Sequence, residues 1–321
     1  MSTTLLDVVG IGNAIVDVIA SAHEDFLIEH GMDKGAMMLI DEMRAEKIYA
    51  AMGPSLISSG GSAGNTVAGI ASLGGKTGYI GKVRNDELGR AFRHDITAVG
   101  AKFPTPAATE GPATARCLVL VTPDTQRTMN TFLGACVNLT PHDIDEELVR
   151  SAQVTYLEGY LYDMPTAQNA FHKASEIAHA AGRKVALSLS DTFCVKRHHA
   201  AFTKLVDHHV DVLFGNDAEI GALLETERIE DAVSALRDLT DLAVITCGKN
   251  GSIIVTHDEV IEVAATPDVK VVDTTGAGDL YAAGFLHGLT RGASLAECGR
   301  LGSDVAGRII SHVGARPQTP F

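Results

Sequence analysis

Residues 271–286 read VVDTTGAGDLYAAGFL. The β-branched pair Val271 and Val272 predicts the end of a strand. Asp273, Thr274 and Thr275 lead into three small residues, Gly276, Ala277 and Gly278. One acid, Asp279, then stands before LYAAGFLHGL, a run apolar enough for a buried helix. Small residues at a helix start leave backbone N–H groups uncovered, and the helix dipole adds positive potential there, so the place suits an anion. An acid at this point could simply be a helix-terminus charge. Next to an anion cradle it also matches the needs of phosphoryl transfer: donors for the transferring oxygens and a base for the attacking hydroxyl. The pattern is not a Walker A loop, because GxxxxGK[ST] occurs nowhere in the chain.

Outward from this stretch, β-rich and α-rich segments alternate. Strands are expected at 5–12, 15–22, 77–83, 154–159, 184–190, 211–216, 242–248 and 252–257. Helices are expected at 41–52, 64–74, 85–100, 165–181, 196–208, 276–290 and 294–312. Such alternation implies an α/β fold with a mostly parallel sheet covered on both faces. Ligands in such folds bind beyond the carboxyl ends of the strands. Residues 102–135, rich in Thr and Pro, lack helical period and predict a small antiparallel sheet outside the main body.

Composition narrows the function. The chain has 321 residues, enough for one large α/β domain. Its net charge of −14 argues against nucleic acid as a partner, which needs a basic face. No apolar run approaches membrane length, and the N-terminus lacks the basic region of a signal peptide, so a cytoplasmic protein with no membrane partner is expected. Five cysteines without a CxxC pair fit reduced thiols. His198–His199 and His208–His209 match no metal motif and read as solvated helix ends.

Four further stretches stand just after expected strands. VVGIGNAIVD (8–17) opens like a dinucleotide fingerprint, but the third glycine is missing and a strand, not a helix, follows. Its Asn13 and Asp17 either line a turn or point into a cleft, where a carboxylate can accept from two adjacent hydroxyls. In SSGGSAGN (58–65), Gly60 and Gly61 either make a strand-to-helix turn or let the backbone approach a ligand closely. In FGNDAE (214–219), Asn216 and Glu219 have the spacing of a capping box; the same pair could organise Mg²⁺ and phosphate, directly or through water. In TCGKNG (246–251), Thr246 and Gly248 fit a β-turn or the wall of a nucleotide site.

Together, GGSAGN (60–65) and DTTGAGD (273–279), in this order and separation, resemble the two signatures of the PfkB carbohydrate kinase family, whose fold is ribokinase-like. The GNAIVD start, the N-x-x-E of FGNDAEI and the T-x-G of TCGKNG extend the resemblance over essentially the whole chain. It implies a three-layer α/β/α body of residues 1–321, with a small β-sheet lid from segments near 13–40 and 102–135. The implied activity is ATP- and Mg²⁺-dependent phosphorylation of a primary hydroxyl. The resemblance casts Asp279 as the base and Gly276, Ala277 and Gly278 as the anion hole. It assigns Asn13, Asp17, Gly60, Gly61 and Asn65 to the acceptor. Asn216 and Glu219 go to Mg²⁺ and phosphate, and Thr246, Gly248 and Thr275 to ATP. K⁺ activation is common in the family; its site would use carbonyls near Asp273, Thr275 and SHVGARP (311–317). Members occur as monomers and as lid-mediated homodimers.

Within the family the likeness is to the adenosine kinase branch, through FGNDAEI and SLSDTF (188–193). That implies phosphorylation of the 5′-hydroxyl of adenosine, a purine-salvage reaction, with Tyr160, Leu161 or Tyr162 packing on the base. Ser188 and Thr275 depart from that branch, where Asn is usual, and suit a sugar kinase acting on ribose or fructose. A regulator that binds nucleoside or sugar without turnover would have no use for Asp279.

Overall fold

The structure is a computed structural model that describes residues 5–124, 126–317 and 319–321. In chain order the strands are β1 Leu6–Ile11, β2 Ile15–Ser21, β3 Met37–Leu39, β4 Ser55–Ser59, β5 Thr77–Ile80, β6 Ala115–Val121, β7 Arg127–Phe132, β8 Ala152–Glu158, β9 Lys184–Ser188, β10 Val212–Asn216, β11 Leu242–Thr246, β12 Ser252–Thr256 and β13 Val260–Val263. The α-helices are α1 Glu24–Glu29, α2 Glu42–Ala51, α3 Ser62–Ser72, α4 Glu87–Ala98, α5 Glu146–Ser151, α6 Pro165–Ala180, α7 Thr192–Arg197, α8 His199–His209, α9 Asp217–Leu224, α10 Ile229–Leu239, α11 Ala277–Leu289 and α12 Leu295–Ile309.

The large sheet runs β13-β12-β11-β10-β9-β8-β1-β5. From β5 to β11 every pair is parallel, and β12 and β13 close the edge antiparallel. Apolar residues alternate between its faces. Val212, Phe214 and Val244 join α3, α4, α11 and α12 in one core, while Leu213, Ala243 and Ile245 join α5 to α10 in another. Burial on both faces explains why these strands read as continuous apolar runs. Glycine lets α3 and α11 pack closely: a Cβ on Gly69 would fall 2.5 Å from Leu280. The three-layer ribokinase-like body expected from sequence is therefore present.

The second sheet runs β3-β7-β6-β2-β4. It is mixed, not antiparallel as expected: β6–β7 and β2–β4 are antiparallel, but β2–β6 and β3–β7 are parallel. Its strands come from distant parts of the chain, so pairing direction is set by the chain's route, which no local pattern records. Val18, Leu27, Ile48, Leu118 and Leu120 bury one face under α1 and α2. Residues 102–114 lie outside this sheet; their first part runs beside β5 and the segment after it, bridging Gly78 to Lys102 and Arg84 to Ala108. Val271 and Val272 are not in a strand. They lie exposed in a loop, where the Val272 N–H donates to the Ile310 carbonyl (2.8 Å) at the end of α12. The expected helix at 196–208 is two, α7 and α8.

Candidate active site

The parallel strands deliver their C-terminal ends to one edge. There the chain passes Gly12–Asn13 after β1, Gly159–Tyr160 after β8, Leu189–Asp191 after β9, Asn216 at the end of β10 and Thr246 at the end of β11. Ser190 holds φ +67 in this row, a strained conformation of the kind that gathers at functional sites. The motifs separated in sequence converge because the sheet is parallel.

Asp279 stands in the first turn of α11, behind Gly276 at φ +78. Ser62 Oγ donates to Oδ1 (2.6 Å) and Asn65 Nδ2 to Oδ2 (2.9 Å), while Thr66 Oγ1 donates to its main-chain carbonyl (3.1 Å). Burial raises the Asp279 carboxyl; the Ser62 and Asn65 bonds and the charge of Arg316 oppose the rise. Of the three small residues, Ala277 has its N–H turned to the Thr274 carbonyl (3.2 Å), whereas Gly278 is exposed with space around its Cα.

Asp17 projects from β2. Among the described residues no protein group donates to its carboxylate, which leaves its oxygens free for a ligand. Burial pushes it up to about 6, with the Asp279 charge adding, against Arg316 and Arg127. A Cβ on Gly60 would fall 2.6 Å from Asp17 Oδ2, and one on Gly61, at φ +85, 2.2 Å from the Asn13 carbonyl. Gly61 is thus required by its positive φ and the β1–β2 turn, whereas Gly60 leaves room for the free carboxylate of Asp17. Asn13 is buried and is held from behind by Glu158.

Glu158 was not singled out from sequence. Its Oε1 accepts from the Asn13 N–H (3.2 Å) and Nδ2 (2.8 Å), and its Oε2 from the Ala63 N–H (2.8 Å). Burial pushes it up to about 7, opposed by those donors. The signal was an acid ending the apolar run VTYLE, where an exposed partner would be unexpected. Ser62 and Arg316 were also missed; neither has a spacing that announces a role. Tyr160, just past β8, is 38% exposed, whereas Leu161 and Tyr162 are buried in the core and cannot pack on a ligand. Burial raises the Tyr160 hydroxyl, and the charges of Asp191, Asp279, Glu219 and Glu158 add to the rise.

On the other side, Asn216 and Glu219 form a complete capping box. Asn216 Oδ1 accepts from the Glu219 N–H (2.8 Å), and the Glu219 carboxylate accepts from the Asn216 N–H (3.0 Å) and Nδ2 (2.7 Å). Burial pushes Glu219 up to about 7, and Asp191, Asp279 and Asp217 add to it. Thr246 ends β11, and Gly248 follows at φ +56 with open space where a Cβ would stand.

Thr275 is already engaged: it donates to Asp273 Oδ1 (2.7 Å) and accepts from Arg127 of β7. Asp273 also takes Arg127 Nη2 and the Gly314 N–H (2.8 Å). Burial alone would raise Asp273, but Gly314, Thr275 and Arg127 hold it below the usual carboxylate range. The 273–275 loop, the second sheet and the 311–317 stretch thus meet at one carboxylate.

His198 bonds Asp163 (2.7 Å) and His199 the Leu223 carbonyl (2.8 Å), so this pair ties helices together instead of lying in solvent. All five cysteines are free thiols. No helix among the described residues is long and apolar enough to cross a membrane.

A model of the pfkB family carbohydrate kinases matches residues 56–321. The chain is similar to the crystal structure of adenosine kinase from Sinorhizobium meliloti: 50% identity, TM-score 0.92, 98% of this chain and 97% of that one. It is similar to that of a probable sugar kinase from Rhizobium etli CFN 42: 46% identity, TM-score 0.92, 99% and 96%. Among curated proteins, 5-dehydro-2-deoxygluconokinase from Geobacillus kaustophilus (strain HTA426) is 28% identical, over 84% of this chain and 85% of its own length.

Proposed function

We propose, for a chain that belongs to the PfkB family of carbohydrate kinases, that its acceptor is a nucleoside, adenosine first, phosphorylated on the 5′-hydroxyl to give AMP and ADP. The chain is an ATP-dependent kinase acting on an alcohol group. The observation that carries the finer reading is an unpartnered carboxylate, Asp17, and an open aromatic, Tyr160, both of which feel the charge of Asp279. Vicinal ribose hydroxyls fit the first and a purine face the second. The adenosine kinase likeness at 50% identity supports it.

In this reading the acceptor hydroxyl oxygen attacks the γ-phosphorus of ATP, the bond from that phosphorus to the β-bridging oxygen breaks, and the hydroxyl proton passes to the Asp279 carboxylate. Ser62 and Asn65 keep that carboxylate aimed. Gly276, Ala277 and Gly278 start the helix that faces the transferring group; with the Ala277 N–H turned to the Thr274 carbonyl, the N–H groups of Gly276 and Gly278 remain to stabilise its oxygens. Asn13, Asp17, Gly60, Gly61 and Asn65 hold the acceptor; Thr246, Gly248 and Thr275 border ATP. The second sheet covers the acceptor as a lid and excludes water.

The residues present fit Mg²⁺: the charges acting on Glu219 are three carboxylates, an excess that a dication offsets. Glu219 and Asn216 would hold it through water, since Asn216 already occupies both Glu219 oxygens and no group of three metal-type side chains gathers among the described residues. When bound, Mg²⁺ neutralises phosphate charge.

A sugar acceptor is the second reading, favoured by the Rhizobium etli likeness and by Ser188 and Thr275. ADP formation from ATP with adenosine, inosine, ribose, fructose and 5-dehydro-2-deoxygluconate separates the two. The nucleoside reading expects adenosine to have the highest kcat/KM. A sugar exceeding it overturns that reading and leaves the kinase assignment intact.

A further inference from the structure

Arg316 belongs to the tail beyond α12, yet its side chain turns inward. Nη2 donates to the Gly60 carbonyl (2.7 Å) and Nε to Asn65 Oδ1 (3.2 Å). The guanidinium lies 5.5 Å from the centre of the Phe92 ring. A Cβ on Gly64 would fall 2.8 Å from Nη2, so α3 carries glycine where the guanidinium passes. Nη1 is buried without a partner among the described residues. Asn65 hands the contact on, because its Nδ2 donates to Asp279. One tail residue therefore reaches the glycine pair directly and the catalytic carboxylate through one amide.

The charged and titratable groups facing Arg316 are Tyr79 of β5, Asp95 of α4, Asp17 of β2 and Asp279 of α11. Arg127 of β7 also faces Asp17. Asp279 in turn acts on Tyr156 and Glu158 of β8, on Tyr160 and on Glu219 of α9. Two carboxylates sharing a desolvated cleft each favour protonation of the other, and a nearby cation reverses that. Arginine keeps its charge on burial and presents donors in a fixed plane, so it can serve both needs.

We propose that Arg316 is a positioning residue of the phosphoryl-transfer site: it fixes Asn65 and the Gly60 carbonyl, and its charge keeps Asp17 and Asp279 ionised when the acceptor cleft is covered. The proposal rests on the kinase reading above. It makes the C-terminal tail part of the site.

The test combines pH profiles of kcat/KM with carboxyl ¹³C NMR titration of labelled aspartate, for the parent protein, Arg316→Met and Arg316→Lys. For Arg316→Met, the acid limb of kcat/KM and the titrations of Asp17 and Asp279 are expected to move up by about one pH unit. At neutral pH, kcat/KM is expected to fall about tenfold or more as Asn65 loses its charged donor. Arg316→Lys should return the acid limb while acceptor KM stays raised, because an ammonium restores charge but not the two-point contact. An unmoved limb with unmoved carboxylates in folded Arg316→Met overturns the proposal. If Arg316→Met does not fold, Arg316→Lys decides alone, and an unchanged acceptor KM overturns it. If the parent turns over no alcohol acceptor, the kinase reading fails, while the NMR titrations still decide what Arg316 does to the two acids.

Discussion

Asp279 is the side chain on which the proposed chemistry turns. Asn in its place can still meet both partners: its oxygen accepts from Asn65, and its amide donates to a rotated Ser62 hydroxyl. Asp279→Asn is therefore expected to keep its melting temperature and lose about 10²–10⁴-fold in kcat, measured by ADP release with saturating acceptor. Parental turnover by the folded variant would reduce Asp279 to a helix-terminus charge. Asp17 has a different signature. With its carboxyl pushed up to about 6, protonation below that pH removes its acceptor capacity. Acceptor KM should rise as pH falls through about 6 while ATP KM stays flat; parallel changes in both would place Asp17 elsewhere. The stability sign runs the other way. A carboxyl raised from 3.8 to about 6 on folding contributes stability below 3.8 that is lost as pH rises through about 6. Asp17→Asn should thus be at least as stable as the parent above that pH, by denaturant melts, while acceptor affinity falls. Lower stability of the Asn variant at pH 8 would contradict the burial argument.

The start of α3 shows how an element is shaped by what it touches. Gly61 at φ +85 faces the Asn13 carbonyl, and Gly60 faces Asp17. Gly61→Ala combines strain at positive φ with a backbone collision and is expected to cost more than about 1 kcal/mol in denaturant unfolding. Gly60→Ala meets a side chain that can swing away, so it should fold near normally and instead raise acceptor KM. Equal effects of the two on stability would show that Gly60 is structural too. The glycine pair was legible in sequence because adjacent glycines before a helix mark a place where the backbone turns and a neighbour comes close. Ser62 was not, since its role depends on α11 arriving from more than two hundred residues later, and α3 starts two residues earlier than its apolar period predicts.

For the whole molecule, the question is how the second sheet is coupled to the body. Arg127 on β7 reaches Asp273 and Thr275, and Asp273 also takes the Gly314 N–H from the tail. If that sheet covers the acceptor, loosening this junction admits water to the γ-phosphate. Arg127→Met is expected to raise the ratio of ADP formed to acceptor phosphorylated. A ratio that stays at the parental value with full activity would refute a shielding role.

The sequence alone determined the layer order of the body and most of the residues proposed for the site. Parallel strands buried on both faces must be apolar throughout, loops at their carboxyl ends must carry the polar groups, and DTTGAGD and GGSAGN are unusual enough to recognise. Tertiary structure decided the rest. It decided that Val271 and Val272 are loop, because among the described residues no strand pairs with them and the end of α12 takes the Val272 N–H. It decided that the second sheet is mixed and includes β4, because pairing direction depends on the route of the chain. It brought Glu158 behind Asn13 and Arg316 onto Asn65, contacts spanning 145 and 251 residues. A local pattern records which groups a segment must bury or expose. It does not record which distant donor will meet a buried carboxylate, and at this site those donors oppose the rise that burial imposes on the acids.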